Sequence, residues 1–153
     1  MMETHRHIFQ NIPQRDNIRD YLIFLSILSV IFSLIAIRGD FILAPPYAVS
    51  AYLLVFQKDS GYSKRKCLIA TYLVVIASSD LLHLLLLGGL AGIIIDVIVV
   101  SAFTTFTDLT HPPAIALAIF SYIIGSPLDF TISSLLSLGA LLAGSILIER
   151  YVK

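Results

Sequence analysis

"FILAPPYAVSAYLLVF", Phe41 to Phe56, decides how this chain folds. It is apolar enough for lipid, yet Pro45 and Pro46 fall where an unbroken membrane helix would run. Either the stretch crosses a bilayer or it dips in and returns. A second stretch, "LTHPPAIALAIFSYII" from Leu109 to Ile124, raises the same question at Pro112 and Pro113.

Composition sets the solvent. Of 153 residues, 58% are hydrophobic and 13% charged, and the mean hydropathy is +0.92. A soluble domain carries about 25% charged residues. So short a chain has too little interior to hide this much apolar surface, so its solvent is lipid. The formal net charge is zero, which points away from a nucleic-acid partner. The single cysteine, Cys67, forms no internal disulfide and says nothing about redox compartment. Residues 1–20 read as a polar tail. The apolar run after it is longer than a signal-peptide core and has no small-x-small cleavage site, so it reads as a retained first span.

Six apolar segments follow: 21–37, 41–56, 67–87, 89–107, 109–124 and 130–148. The first, third, fourth and sixth have spanning length, roughly 17–25 residues. For 41–56, a short extended stretch followed by a helix from Pro45 reaches roughly 31 Å, enough for a core of about 30 Å. The segment at 109–124 reaches nearly as far.

Charge placement separates crossing from re-entry. With all six segments crossing, Arg6, Arg15, Arg19, Lys58, Lys64, Arg65, Lys66, Arg150 and Lys153 share one side, and only Arg38 lies opposite. With re-entry the split is even. The positive-inside rule selects the first arrangement. The expectation is therefore a multi-pass protein of the cell membrane with both termini and the "QKDSGYSKRK" loop cytoplasmic. A shift of 67 residues lays Pro45-Pro46 on Pro112-Pro113 and the first span on the fourth. The expected fold class is an all-α polytopic membrane protein. Its six membrane segments form two inverted repeats, 21–87 and 89–148, each reading span, Pro-Pro-broken span, span. A short C-terminus, 149–153, follows.

Proline fits the first turn of a helix, where its missing N–H has no partner to lose. "APP" and "HPP" therefore read as helix starts, roughly 13 Å in from one face. Bare amides are expected at Tyr47 and Ala48 and at Ala114 and Ile115, with Asp40, Asp108 and Thr110 near enough to cap some of them. A helix N-terminus carries about half a positive charge. Two such ends facing each other near the midplane make an anion seat. It would be built from Ala44, Pro45, Pro46, Tyr47 and Ala48 with Thr110, His111, Pro112, Pro113, Ala114 and Ile115.

"APPYAVSAYLLVF" with "THPPAIAL" resembles the HPP family of small integral membrane proteins. Ala44, Pro46, Ala48, Ser50, Ala51, Leu53, Leu54 and Phe56 match the family's Ala-Pro start and small-residue run, and His111, Pro112, Pro113 and Ala114 match its triplet. The resemblance spans roughly Phe41 to Ile148. It departs where "AIALA" replaces a Gly-Ala-Thr-like run. It implies four spans, fewer than the charge count, and a nitrite-like anion as substrate.

Asp80, His83 and Asp96 lie inside spans, where ionisable residues are functional by default. A tight hairpin at "LLLLGGLAG" would set the two carboxylates at similar depth, with His83 one turn from Asp80 on the same face. Either they cap free backbone groups of the broken spans, or they meet, share a proton and couple proton to anion movement. The competing reading is a membrane-embedded enzyme using His83, His111 and the aspartates. Their spacing matches no zinc motif. The expectation is thus a transporter rather than an enzyme, with neither metal nor cofactor. Its partners would be the bilayer, a small anion and other copies in a homo-oligomer. His5 and His7 read as part of a mobile tail. Tyr21, Tyr62 and Tyr151 read as interface anchors. Gly88, Gly89, Gly92 and the small residues of "SLGALLAGS", Ser137 to Ser145, suit close helix packing.

Overall fold

The computed structural model describes residues 14–85 and 88–151, with side chains over 18–85 and 88–150. The His5/His7 pair, Arg6, Lys153 and the side chains of Arg15 and Tyr151 lie outside the described residues.

The described residues are predominantly helical and contain no strand. The helices are α1 (Gln14–Arg38), α2 (Ala44–Phe56), α3 (Arg65–Leu84), α4 (Gly89–Phe106), α5 (Pro113–Ser121) and α6 (Pro127–Tyr151), with 3₁₀ turns at Phe41–Leu43 and Gly61–Ser63. Four of them, α1, α3, α4 and α6, are long and apolar enough to cross a membrane. They correspond to the four full-length segments of the sequence, each shifted by a few residues at its ends.

The two Pro-Pro helices are short, and both begin where proline permits. Each carries Pro in its first two positions. The expected extended entry into α2 is not present. Phe41–Leu43 instead winds as a 3₁₀ turn that runs straight into the helix. Such a coil advances only about 25 Å, short of the extended estimate. Before α5 the chain does remain non-helical, from Thr107 to Pro112. Asp108 takes a left-handed φ of 55° there, a conformation Asp tolerates better than most residues.

Side-chain ties fix which helix ends lie together. At one end, Lys58 Nζ pairs with Asp20 at 2.9 Å, and Arg65 lies 2.8 Å from Glu149. At the other end, Arg38 pairs with Asp129, Ser133 donates to Asp40, and Thr131 donates to Asp80 at 2.7 Å. The starts of α1 and α3 thus share an end with the last turn of α6. The ends of α1 and α3 share the other with its first turn.

Burial then ranks the helices. The apolar windows of α3 and α6 are both 44% buried, against 17% for α1 and 22% for α4. α3 and α6, which pack directly on each other, therefore form the core together with α2 and α5, and α1 and α4 flank it. Around this core lie Leu43 of the 3₁₀ turn before α2, Tyr47 and Ala51 of α2, Leu68, Tyr72 and Val75 of α3, and Leu117 of α5. Exposed Leu90, Ile98, Leu22 and Val30 on the flanking helices form an apolar outer surface suited to lipid. Small residues permit one close approach: a Cβ on Gly144 of α6 would stand 2.8 Å from Ile27 of α1. The expectation of close packing fails at Gly88 and Gly89, where an added Cβ meets nothing within 4 Å. Gly89 serves the α3–α4 turn instead, at φ +64°.

Candidate functional site

The core holds a polar cluster at the meeting of α2, α3 and the start of α5. His111, fully buried, occupies the last residue before the Pro112-Pro113 step. Its Nε2 lies 2.8 Å from Ser50 Oγ on α2, and its Nδ1 lies 2.8 Å from the carbonyl oxygen of Tyr62 in the α2–α3 connection. Ser50 Oγ also lies 2.6 Å from Tyr72 OH on α3 and 2.9 Å from the Pro46 carbonyl. Tyr72 OH reaches that same carbonyl at 3.3 Å. Tyr47 stacks on Tyr72 with ring centroids 5.2 Å apart, and its hydroxyl donates to the Ser134 carbonyl at 3.0 Å. Ser50, Tyr72, His111 and Tyr47 are all fully buried.

Local sequence explains this assembly. Pro46 begins a helix, so Ser50 falls one turn later on the same face, above the Pro46 carbonyl. Pro112 and Pro113 likewise force a helix start, and the residue before them is held out of the helix as the ring reaches sideways to α2. The two Pro-Pro pairs come together as well. Pro45, Pro46, Pro112 and Pro113 line one shallow apolar cavity of about 420 Å³, with Tyr62 and Phe120.

The expected seat of bare amides is not what the structure contains. Ala114 N–H donates to the His111 carbonyl at 3.0 Å, and Ile115 N–H to that of Pro112 at 3.1 Å. In α2 the N-cap Leu43 places its carbonyl below Tyr47, and Ala44 does the same for Ala48. The physical reason is that hydrocarbon makes a bare donor too costly, so the chain tightens into 3₁₀ geometry and closes each end on itself. The donors left at the site are side-chain groups. Asp40 and Thr110, expected as caps, are elsewhere: Asp40 accepts from Ser133, and Thr110 donates to the Thr104 carbonyl at 3.2 Å.

Asp96 is fully buried and accepts hydrogen bonds from Ser78 and Ser79 of α3. Asp80, one residue on, turns to α6, where Thr131 serves both its carboxylate oxygens, at 2.8 and 2.7 Å. The two carboxylates do lie at neighbouring levels of the α3–α4 hairpin, but each has its own hydroxyl partners. They neither bond to each other nor cap the broken helices. His83 Nδ1 lies 2.7 Å from the Ser79 carbonyl, and the ring stacks on Tyr122 at 4.5 Å. Asp80 and His83 line an open pocket of about 360 Å³ at that end of the bundle. Among the described residues no group of three or more His, Cys, Asp or Glu is placed to hold a metal ion.

Sequence reasoning missed Tyr72, Ser134 and Ser137. A tyrosine in mid-span, far from the interfaces where its type collects, was the available signal for Tyr72. Most hydroxyls on these helices bond back to a carbonyl of their own preceding turn, as Ser26, Thr71 and Ser121 do. Ser134 and Ser137 are fully buried, and their hydroxyls have no hydrogen-bond partner among the described residues. Compared with known proteins, the chain matches no family model, no curated protein and no solved structure.

Proposed function

We propose that this chain is a multi-pass membrane transporter for a small monovalent anion such as nitrite. In this reading all six segments cross, in two inverted halves, and the end bearing Lys58, Lys64, Arg65 and Lys66 is cytoplasmic. The assembly is a homo-oligomer, and the His-Pro-Pro resemblance agrees with the assignment. One observation carries it. The buried junction of the two Pro-Pro helices is built from an imidazole and hydroxyls, His111, Ser50 and Tyr72, and among the described residues no carboxylate bonds to them.

Anions in a low-dielectric core need donors, and a facing carboxylate would repel them. Hydroxyl and imidazole N–H groups supply donors without a fixed charge to desolvate. The positive end of α5 begins beside them, which favours the same sign of ligand. The seat therefore comprises Ser50, Tyr72 and His111 in place of the helix-end amides. Asp80, His83 and Asp96 sit outside this contact set.

The test is nitrite uptake into liposomes containing the purified chain. His111→Ala and Ser50→Ala lower the protein-dependent rate at least tenfold. Ser29→Ala, on the exposed face of α1, leaves it unchanged. Equal rates in all three variants would remove the cluster from the pathway.

A further inference from the structure

The hydrogen-bond geometry around His111 assigns each proton, and that assignment ties the anion to a proton. This inference rests on the transport reading above. A carbonyl only accepts, so the Nδ1 that faces the Tyr62 oxygen at 2.8 Å carries the hydrogen. In the neutral ring Nε2 is then a lone pair, and Ser50 O–H donates to it. Ser50 has one hydrogen, so its oxygen accepts from Tyr72, the shorter of that hydroxyl's two contacts. The chain Tyr72 to Ser50 to His111 to Tyr62 uses every hydrogen it owns. An arriving anion finds no free donor and faces a nitrogen lone pair.

A proton on Nε2 reverses this order. The new N–H donates to Ser50 Oγ, and the serine hydrogen swings off the ring toward the Pro46 carbonyl at 2.9 Å. The cluster now carries one positive charge. Two hydroxyl hydrogens, those of Ser50 and Tyr72, are free to turn from Pro46 or from each other to a stronger acceptor. An anion is that acceptor. We propose that His111 takes a proton on Nε2 whenever the anion occupies the cluster, so that one proton and one anion move together and the step is electrically neutral. The proton comes from water on the entry side and leaves Nε2 with the anion on the other side.

The surroundings leave this role to His111. From α3 the facing titratable group is Tyr72, with Tyr47 of α2 stacked behind it. The α2–α3 connection presents the Tyr62 backbone, and Asp108, upstream on the α4–α5 connection, is exposed. No Asp, Glu, Lys or Arg side chain bonds to the ring among the described residues. Its charge is therefore balanced by the ligand and not by the protein.

The experiment uses liposomes containing the purified chain, a trapped pH dye and external nitrite, with protein-free vesicles subtracted. A valinomycin-clamped potassium gradient sets the potential. The expected result is one proton entering per nitrite, and a rate that changes less than twofold when the potential is reversed. An imposed inward proton gradient accumulates nitrite. His111→Gln, which keeps a donor near Nε2 but cannot accept a proton, abolishes the proton entry and lowers the flux at least tenfold. Nitrite uptake that follows the potential without proton entry overturns this inference and leaves transport standing, as does proton entry that persists in His111→Gln. Flux no greater than in protein-free vesicles overturns both.

Discussion

Removing the Ser50 hydroxyl tests whether the cluster is a bonded unit or a set of neighbours. Ser50→Ala deletes the group that joins His111 Nε2 at 2.8 Å to Tyr72 OH at 2.6 Å. The methyl left behind fills nearly the same space, so no cavity contributes. The ring nitrogen loses its only partner on that side in a site that is fully buried, and a buried unsatisfied group costs about 1–3 kcal/mol. Tyr72→Phe removes the other end of the chain. Its stacking on Tyr47 survives, so the loss is that of one hydrogen bond, about 1 kcal/mol. Because both substitutions break the same Ser50–Tyr72 bond, the double variant costs less than the two single losses together, by about 0.5–1.5 kcal/mol. The assay is reversible unfolding of the purified chain in micelles, followed by far-ultraviolet circular dichroism. A loss of about 2 kcal/mol lowers Tm by roughly 4–8 °C in a protein of this size. Ser29→Ala, whose hydroxyl bonds only back to Leu25 on an exposed face, serves as the reference. Strict additivity, or a Ser50→Ala midpoint equal to that reference, would refute the bonded chain and every proton assignment drawn from it.

Two further outcomes bear on the fold. Gly144→Ala drives a methyl into Ile27 at 2.8 Å and destabilises by about 1–3 kcal/mol, whereas Gly139→Ala, with open space beside it, is neutral or stabilising by up to about 1 kcal/mol; thermal unfolding in micelles separates them. In a Cys67→Ser background, Asp59→Cys is labelled by a membrane-impermeant thiol reagent only after cells are permeabilised, and Gly125→Cys is labelled in intact cells. Labelling of both from one side would rule out six crossings.

Much of the fold is written in the hydrophobic runs. α1, α3, α4 and α6 stand where uninterrupted apolar segments stood, because a helix is the one local structure that satisfies a spanning backbone from within. The starts of α2 and α5 were legible from Pro45-Pro46 and Pro112-Pro113 for an equally local reason. What the sequence hid is tertiary. Whether Phe41–Leu43 extends or coils depends on what it packs against, and Leu43 is fully buried, so the coil wins. His111 could be named as polar and central, but its partners come from residues 50, 62 and 72, which no spacing rule links. Asp80 and Asp96 illustrate the same limit. The hairpin set their depth, yet adjacent helical positions point in different directions, so Ser79 faces Asp96 on α4 while Asp80 faces Thr131 on α6.

If the transport reading proposed above holds, the replacement of helix-end amides by side chains has a physical logic, because the site then has to be free and filled in turn. A backbone N–H is fixed in direction. Left open for a ligand in hydrocarbon, it costs several kcal/mol for as long as the ligand is away. A hydroxyl hydrogen rotates about its C–O bond. The Tyr72 hydrogen turns to Ser50 and the Ser50 hydrogen to His111, so neither donor is unmet. In the proposed transport step, a proton on His111 Nε2 frees the same hydrogens to turn to the anion. The amides of Ala114 and Ile115 stay bonded to the carbonyls of His111 and Pro112, which keeps the start of α5 closed beneath the ring. Rotatable donors set on a closed helix start meet the requirement, and an open helix end does not.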